Sequence, residues 1–234
     1  MTYVEPGPVD GRVGVGETPA RRTYWTLTGA AAGLLGAVST LLFDVRMGMP
    51  GSKSDTMTIE RVDDVDVLVS RMGFLGGYLT VALLLVTAAA WRRRVEPRVP
   101  GSTAAGVVST ALTAAAGALT LGYGWKGAMA IYGEGGPEDD AFDTQGRYVY
   151  FMLNDFGAYI GWFAVLVAAV AVAWMALRER TVSRWIGVVS VVLAALPVLG
   201  FLVMAVPGLA AMTMPLWMLV AFLGLTFGRS TITR

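Results

Sequence analysis

The sequence predicts an all-α fold: a polytopic membrane bundle of six transmembrane helices with both termini cytoplasmic. Three observations carry this expectation. First, six long apolar runs occupy residues 24–43, 72–91, 104–125, 156–177, 185–206 and 208–227. Each is close to the ~20 residues that a helix needs to cross ~30 Å of hydrocarbon. In lipid a backbone must satisfy its own hydrogen bonds, so the runs read as helices. Second, 55% of the 234 residues are hydrophobic, mean hydropathy is +0.60 and only 15% are charged, against ~25% charged in a soluble domain. Third, the basic residues are unevenly shared between alternate loops. Twelve fall on one side: Arg12, Arg21, Arg22, Arg92, Arg93, Arg94, Arg98, Arg178, Arg180, Arg184, Arg229 and Arg234. Six fall on the other: Arg46, Lys53, Arg61, Arg71, Lys126 and Arg147. Positive loops stay in the cytoplasm, so the tails and the even loops are assigned there, in a bacterial plasma membrane.

Residues 1–20 are rich in Pro, Gly and Val with balanced charge, which predicts a disordered cytoplasmic tail. Arg21 and Arg22 precede the first run and suit an uncleaved signal anchor, the start of a membrane domain over 21–229. The first run carries Gly29 and Gly33, a GxxxG face for close helix approach. In the first outer loop, Ile59, Val62, Val65, Leu68, Val69 and Met72 recur at helical spacing, with Asp63, Asp64 and Asp66 opposite. That pattern predicts a short amphipathic helix on the outer surface. The second run ends in Arg92, Arg93 and Arg94, and Pro97, Pro100 and Gly101 make a short inner loop. The third run is lined with small and hydroxyl residues, including Gly106, Ser109, Thr113, Gly117 and Thr120, and is expected at the packed centre. The fourth carries a second GxxxG at Gly157 and Gly161. The last two hold no ionisable residue, are joined across Pro207 and Gly208, and are expected to kink at Pro197 and Pro215. Residues 230–234 form the cytoplasmic C-terminal tail.

The sequence contains neither Cys nor His. Disulfides, thiolate chemistry, the usual haem, zinc and copper ligands and the commonest general base are thereby excluded. No cofactor is expected, unless magnesium or calcium sits at the outer acidic loops. The expected partners are membrane lipid, a lipophilic small molecule, and a second copy or another membrane protein through the GxxxG faces. Nucleic acid is not expected.

Four charges map to the outer membrane boundary: Asp44, Arg71, Lys126 and Asp155. Tyr123, Trp125, Asn154, Tyr159 and Trp162 lie at the same depth. Ionisable groups near hydrocarbon are costly unless paired or wet, so they mark an interior polar site. Here that site would hold the head of an amphiphile. The competing reading is interfacial side chains that snorkel to water. A second cluster, Asp139, Asp140 and Asp143, resembles the Asp-Asp-x-x-Asp box of isoprenoid diphosphate enzymes, where carboxylates hold magnesium. With Asp63, Asp64 and Asp66 it is similar to the two acidic loops of UbiA-type prenyltransferases, although those loops face the cytoplasm. Asp155 among Tyr159, Trp162, Tyr123 and Trp125 also resembles the acid and aromatic lining of meroterpenoid-type membrane terpene cyclases, which implies Asp155 as catalytic acid. Helix count, arginine-rich inner loops and Pro215, Leu216 and Trp217 in the last helix make the chain similar to small six-helix membrane proteins of actinobacteria, a resemblance that implies no activity.

The sequence-based expectation is a multi-pass protein that binds or helps move a lipophilic or amphiphilic small molecule at the outer leaflet, more binder than enzyme. Two alternatives stay open. One is lipid or isoprenoid modification with Asp155 as acid. The other is an accessory or immunity-type subunit of a larger membrane complex.

Overall fold

A computed structural model describes residues 24–44, 58–228 and 230–233. The expected N-terminal tail, the first half of the first outer loop, Arg229 and Arg234 lie outside the described residues. Among the described residues there are seven α-helices: α1 (Thr26–Ala37), α2 (Val67–Arg94), α3 (Thr103–Tyr132), α4 (Thr144–Gly161), α5 (Phe163–Leu177), α6 (Arg184–Met204) and α7 (Ala210–Phe227). Five segments of the described residues are long and apolar enough to cross a membrane: Val67–Arg98, Thr103–Tyr132, Thr144–Leu177, Arg184–Met204 and Ala210–Phe227.

The apolar runs mark the middles of these helices well and their ends poorly. α1 is 12 residues of α-helix that pass directly into a π-helix at Val38–Leu42. The two together rise roughly 25 Å at 1.5 Å per residue, at the short limit for a span. The amphipathic helix expected over 59–72 is instead two elements, a 3-10 helix at Ile59–Asp64 and the first turns of α2. Asp66 divides them, because its Oδ1 accepts from the amides of Leu68 at 2.8 Å and Val69 at 3.1 Å and so caps α2. α3 starts at a Ser102 cap, whose Oγ accepts from the Ala105 amide at 3.1 Å. It runs past the predicted end at Trp125 to Tyr132. The predicted fourth helix, 156–177, is a 34-residue segment that begins at Thr144 and bends at Trp162 between α4 and α5. The α6–α7 link is a 3-10 turn at Pro207–Leu209 rather than a two-residue hairpin, entered through Ala205 in the left-handed region at φ 53°. Both helices continue through Pro197 and Pro215.

The helices pack in a closed ring in chain order. α1 lies between α2 and α7, α3 packs on α2, α4 and α5, and α6 bridges α5 and α7. The two GxxxG faces are spent inside this ring. A methyl on Gly33 would come 2.5 Å from the α7 backbone at Pro215 O and Leu219 N. A methyl on Gly157 would come 2.4 Å from the Trp125 ring of α3. In lipid the hydrophobic effect does not drive helices together, so close backbone approach and polar bonds carry the association. Thr26 bonds Thr226 at 2.6 Å, Thr28 bonds Thr87 at 2.9 Å, Trp91 Nε1 donates to Ala105 O at 3.0 Å, and Trp217 Nε1 donates to Ser190 Oγ at 2.8 Å. The outward face is apolar: Val188, Val191, Val192, Leu196, Leu199 and Leu202 of α6 are all exposed. Such a surface suits hydrocarbon rather than water.

The ring has two chemically different ends. The acidic end gathers the C-terminus of α1, the 3-10 helix at Ile59–Asp64 and the α3–α4 loop. The arginine-rich end gathers the α2–α3 and α5–α6 turns and the chain's last described residues. There the 3-10 turn Thr231–Thr233 folds under the bundle. Thr231 Oγ1 donates to Thr181 O at 2.7 Å, Arg98 donates to Ile232 O at 2.6 Å, and the Ile232 side chain is buried in the main core.

Candidate functional site

The polar centre of the acidic end is Lys126, on α3 two turns before the helix ends. The sequence puts a helix end at Lys126, but Gly127–Tyr132 continues the same hydrogen-bonded helix. The side chain is only 2% exposed. Gly73 of α2 makes this possible, since a methyl there would lie 2.6 Å from Lys126 Cδ. The ammonium donates to Ser39 O at 3.0 Å and Phe43 O at 2.7 Å, both at the C-terminal end of the segment formed by α1 and its π-helix. A helix C-terminus carries partial negative charge on its free carbonyls, so a cation there is stabilised. The Asp44 carboxylate, 7% exposed, adds a full negative charge that acts on the ammonium. Tyr159 of α4 donates to Asp44 Oδ2 at 2.8 Å.

One turn deeper is a second cluster centred on Thr40 of the π-helix. Its Oγ1 shares a hydrogen bond with Tyr123 OH at 2.7 Å and accepts from Trp162 Nε1 at 3.1 Å. Tyr123 is buried against Gly77, where a methyl would come 2.2 Å from its ring. Three separate elements therefore converge on the π-helix and the two residues after it: α3 through Tyr123 and Lys126, α4 through Tyr159, and the α4–α5 junction through Trp162. Two buried polar atoms near this level have no hydrogen-bond partner among the described residues, Ser39 Oγ and Asn154 Oδ1. Each such group costs ~1–3 kcal/mol.

The nine residues expected at this site divide unequally. Asp44, Lys126 and Tyr159 form one connected group, and Tyr123 and Trp162 form the adjoining one. Trp125 is half-buried against Gly157. Asn154 is buried, and Asp155 is half-buried one helical turn from Tyr159 on the same face of α4. Arg71 is exposed on the outside of α2. Residues that the sequence reading missed are Ser39, Phe43 and Thr40, with Gly73, Gly76 and Gly77 opposite them. The three glycines at helical spacing were a readable signal for a face that admits bulky neighbours. The carbonyls of Ser39 and Phe43 left no signal, since every residue has one.

The acidic loop is built differently. Asp143 caps α4 by accepting from the Gly146 amide at 2.8 Å, and Asp139 Oδ2 accepts from the Gly135 amide at 3.2 Å. Arg147 ties this loop to the 3-10 helix at Ile59–Asp64: it donates to Asp63 Oδ1 at 2.7 Å and to Asp139 O at 3.0 Å. Among the described residues no three carboxylates gather as a metal site. By these hydrogen bonds Asp139 is a turn residue and Asp143 a cap residue. At the other end a shallow groove of about 430 Å³ is lined by Arg98, Ser102, Glu179 and Thr181 among others, with Ser102 Oγ donating to Glu179 at 2.7 Å.

The fold and this site define an all-α chain with at least five helices fit to cross a membrane and a buried polar cluster near one end. Compared with protein-family models, with curated proteins and with solved structures, the chain matches none.

Proposed function

We propose that this chain is a six-span plasma-membrane protein of a bacterium, and that it binds or helps move an amphiphilic small molecule at the outer leaflet. The polar end of the site is Asp44, Lys126 and Asp155, with Tyr159 and Asn154 beside them. α1 with its π-helix counts as the sixth span, and α4 with α5 counts as one bent span. Both termini lie on the arginine-rich side, which is the cytoplasmic one by charge bias. The absence of Cys makes orientation simple to test: single cysteines in place of Gly135 and Ser102 report opposite sides to an impermeant thiol reagent.

One observation carries the functional reading: an ammonium held almost wholly out of water in the bundle, with the charge of a nearly buried carboxylate acting on it. Charged groups so placed are expensive in a membrane and are kept where a polar ligand or path needs them. The test is purification of the wild type, K126M, D155N and D139N in mild detergent, followed by mass spectrometry of the extracted lipophilic molecules. An amphiphile retained by wild type and D139N and lost from K126M and D155N supports the reading. Equal retention by all four would sink it.

A further inference from the structure

We infer that the α5–α6 turn, residues 178–184, is a binding site for the headgroup of an anionic phospholipid. The turn sets three arginines, Arg178, Arg180 and Arg184, against one acid, Glu179. All three arginines are exposed. Among the described residues the ion pairs are Arg61–Asp64 and Arg147–Asp63, both at the acidic end of the bundle. Glu179 is turned toward α3, where its Oε2 accepts from Ser102 Oγ at 2.7 Å. A guanidinium presents a planar fork of donors that fits a phosphate group. The backbone holds the turn in place. The Thr181 amide donates to Met175 O at 3.0 Å and closes it. The C-terminal strap braces it: Thr231 Oγ1 donates to Thr181 O at 2.7 Å, and the Ser183 amide donates to Ser230 Oγ at 3.2 Å. Arg180 stands in the left-handed region at φ 58°, where glycine is the unstrained choice. Glycine would close the turn better, so the contribution of this arginine lies outside the turn.

The surroundings make the occupant a lipid rather than a free phosphate. Trp174 lies one helical turn before Arg178 on α5, and Trp185 follows Arg184 on α6; they are 56% and 47% exposed. Indole rings left outward at the end of a span sit at headgroup depth. Farther along the same helices Val170, Val188 and Val192 are exposed, an apolar surface for acyl chains. The other arginine triad lacks this setting. Trp91, next to Arg92, Arg93 and Arg94, is fully buried and donates to Ala105 O at 3.0 Å. A zwitterionic headgroup would bring its own ammonium against the arginines, so the preference is for a lipid of net negative charge.

The inference rests on the bundle lying in a membrane, as proposed above, but not on the amphiphile of the acidic end or on which end is cytoplasmic. The full chain in mild detergent is equilibrated with equal amounts of phosphatidylglycerol and phosphatidylcholine and washed, and the retained lipids are quantified by mass spectrometry. Wild type should favour phosphatidylglycerol by about tenfold at low ionic strength. The triple variant R178Q/R180G/R184Q should cut that preference to about twofold. R92Q/R93Q/R94Q removes as much charge and should keep half or more of the preference. Equal loss in the two triple variants, or no loss in the first, overturns the inference. So does a wash in inorganic phosphate that removes the wild-type preference when sodium chloride of equal ionic strength does not, because the patch would then be a site for free anions. Arg180→Gly alone relieves the strained φ, so its result is free of folding loss. It should melt no lower than wild type and lose about threefold of the preference, and an unchanged preference overturns the inference. A chain that stays in solution without detergent and retains neither lipid would instead sink the membrane reading itself.

Discussion

The two ends of this bundle handle charge in opposite ways. At the acidic end a cation and an anion are drawn in among the helices: Lys126 is 2% exposed and Asp44 7%. At the arginine-rich end Arg92, Arg93, Arg94, Arg178, Arg180 and Arg184 are all exposed, and closure comes from a peptide strap instead. Its Ile232 is 1% exposed, with its carbonyl held by Arg98, and the neighbouring Thr231 bonds Thr181 O. The contrast separates two uses of charge. Exposed arginines at a membrane edge set orientation and cost little, because water and headgroups solvate them. A buried ammonium must be solvated by the protein, so its partners become structural obligations. Loss of a charge should therefore matter at one end and hardly at the other.

The largest expected effect breaks the acidic end. Lys126→Met leaves Asp44 nearly buried without its counter-charge, and such losses cost about 3–5 kcal/mol. Arg93→Gln should change stability by less than ~0.5 kcal/mol. Reversible unfolding of the two variants in mixed micelles compares them directly. Comparable losses would mean that the ends do not differ as described. Second in size is Ile232→Ala at the arginine-rich end. Truncating a fully buried isoleucine costs ~2–4 kcal/mol. Because Ile232 follows the last span, the loss should appear as faster proteolysis of the C-terminus as well as a lower melting temperature. A variant that melts like wild type would show that the strap contributes no stability. Third is the Arg147–Asp63 pair, whose side chains are 14% and 31% exposed. A double-mutant cycle with Arg147→Gln and Asp63→Asn should give a coupling of about 1 kcal/mol, smaller in high salt. A coupling near zero would leave the acidic loop held by its caps alone.

How much of this could be read beforehand depends on which interaction carried each feature. Helix cores were legible because hydrophobic length is a composition signal, and all six apolar runs lie mainly on helix. The ends are not legible in the same way, because Arg71, Lys126 and Asp155 mark the edges of the apolar runs while α2, α3 and α4 extend beyond them. A helix needs no hydrocarbon to continue, only hydrogen bonds and a cap. Asp66 and Asp143 supply such caps beyond the apolar runs. Asp143, part of the acidic box in the sequence, is the N-cap of α4 in the structure. That Asp44, Lys126 and Tyr159 lie near the same end of the bundle as Tyr123 and Trp162 was legible, because register along each helix sets depth, although the last two sit one turn deeper. Their pairing was not, since it turns on a π-helical register and two backbone carbonyls that no side chain announces.

The smallest predicted effect sharpens the comparison within the acidic end itself. Asp139 and Lys126 belong to the same end of the bundle, yet Asp139 is exposed and its carboxylate meets one loop amide at 3.2 Å. Asp139→Asn keeps an oxygen acceptor there, so it should shift stability by less than ~0.5 kcal/mol. Added magnesium or calcium should stabilise wild type and Asp139→Asn by the same amount. A gain of several degrees in wild type that disappears in Asp139→Asn would instead make the loop a cation site, and its acids could no longer be explained as caps and turn residues alone. The distinction is one of solvation: Asp139 is relaxed by water whatever it bonds, while Lys126 depends on Ser39, Phe43 and Asp44 for the hydration it has given up.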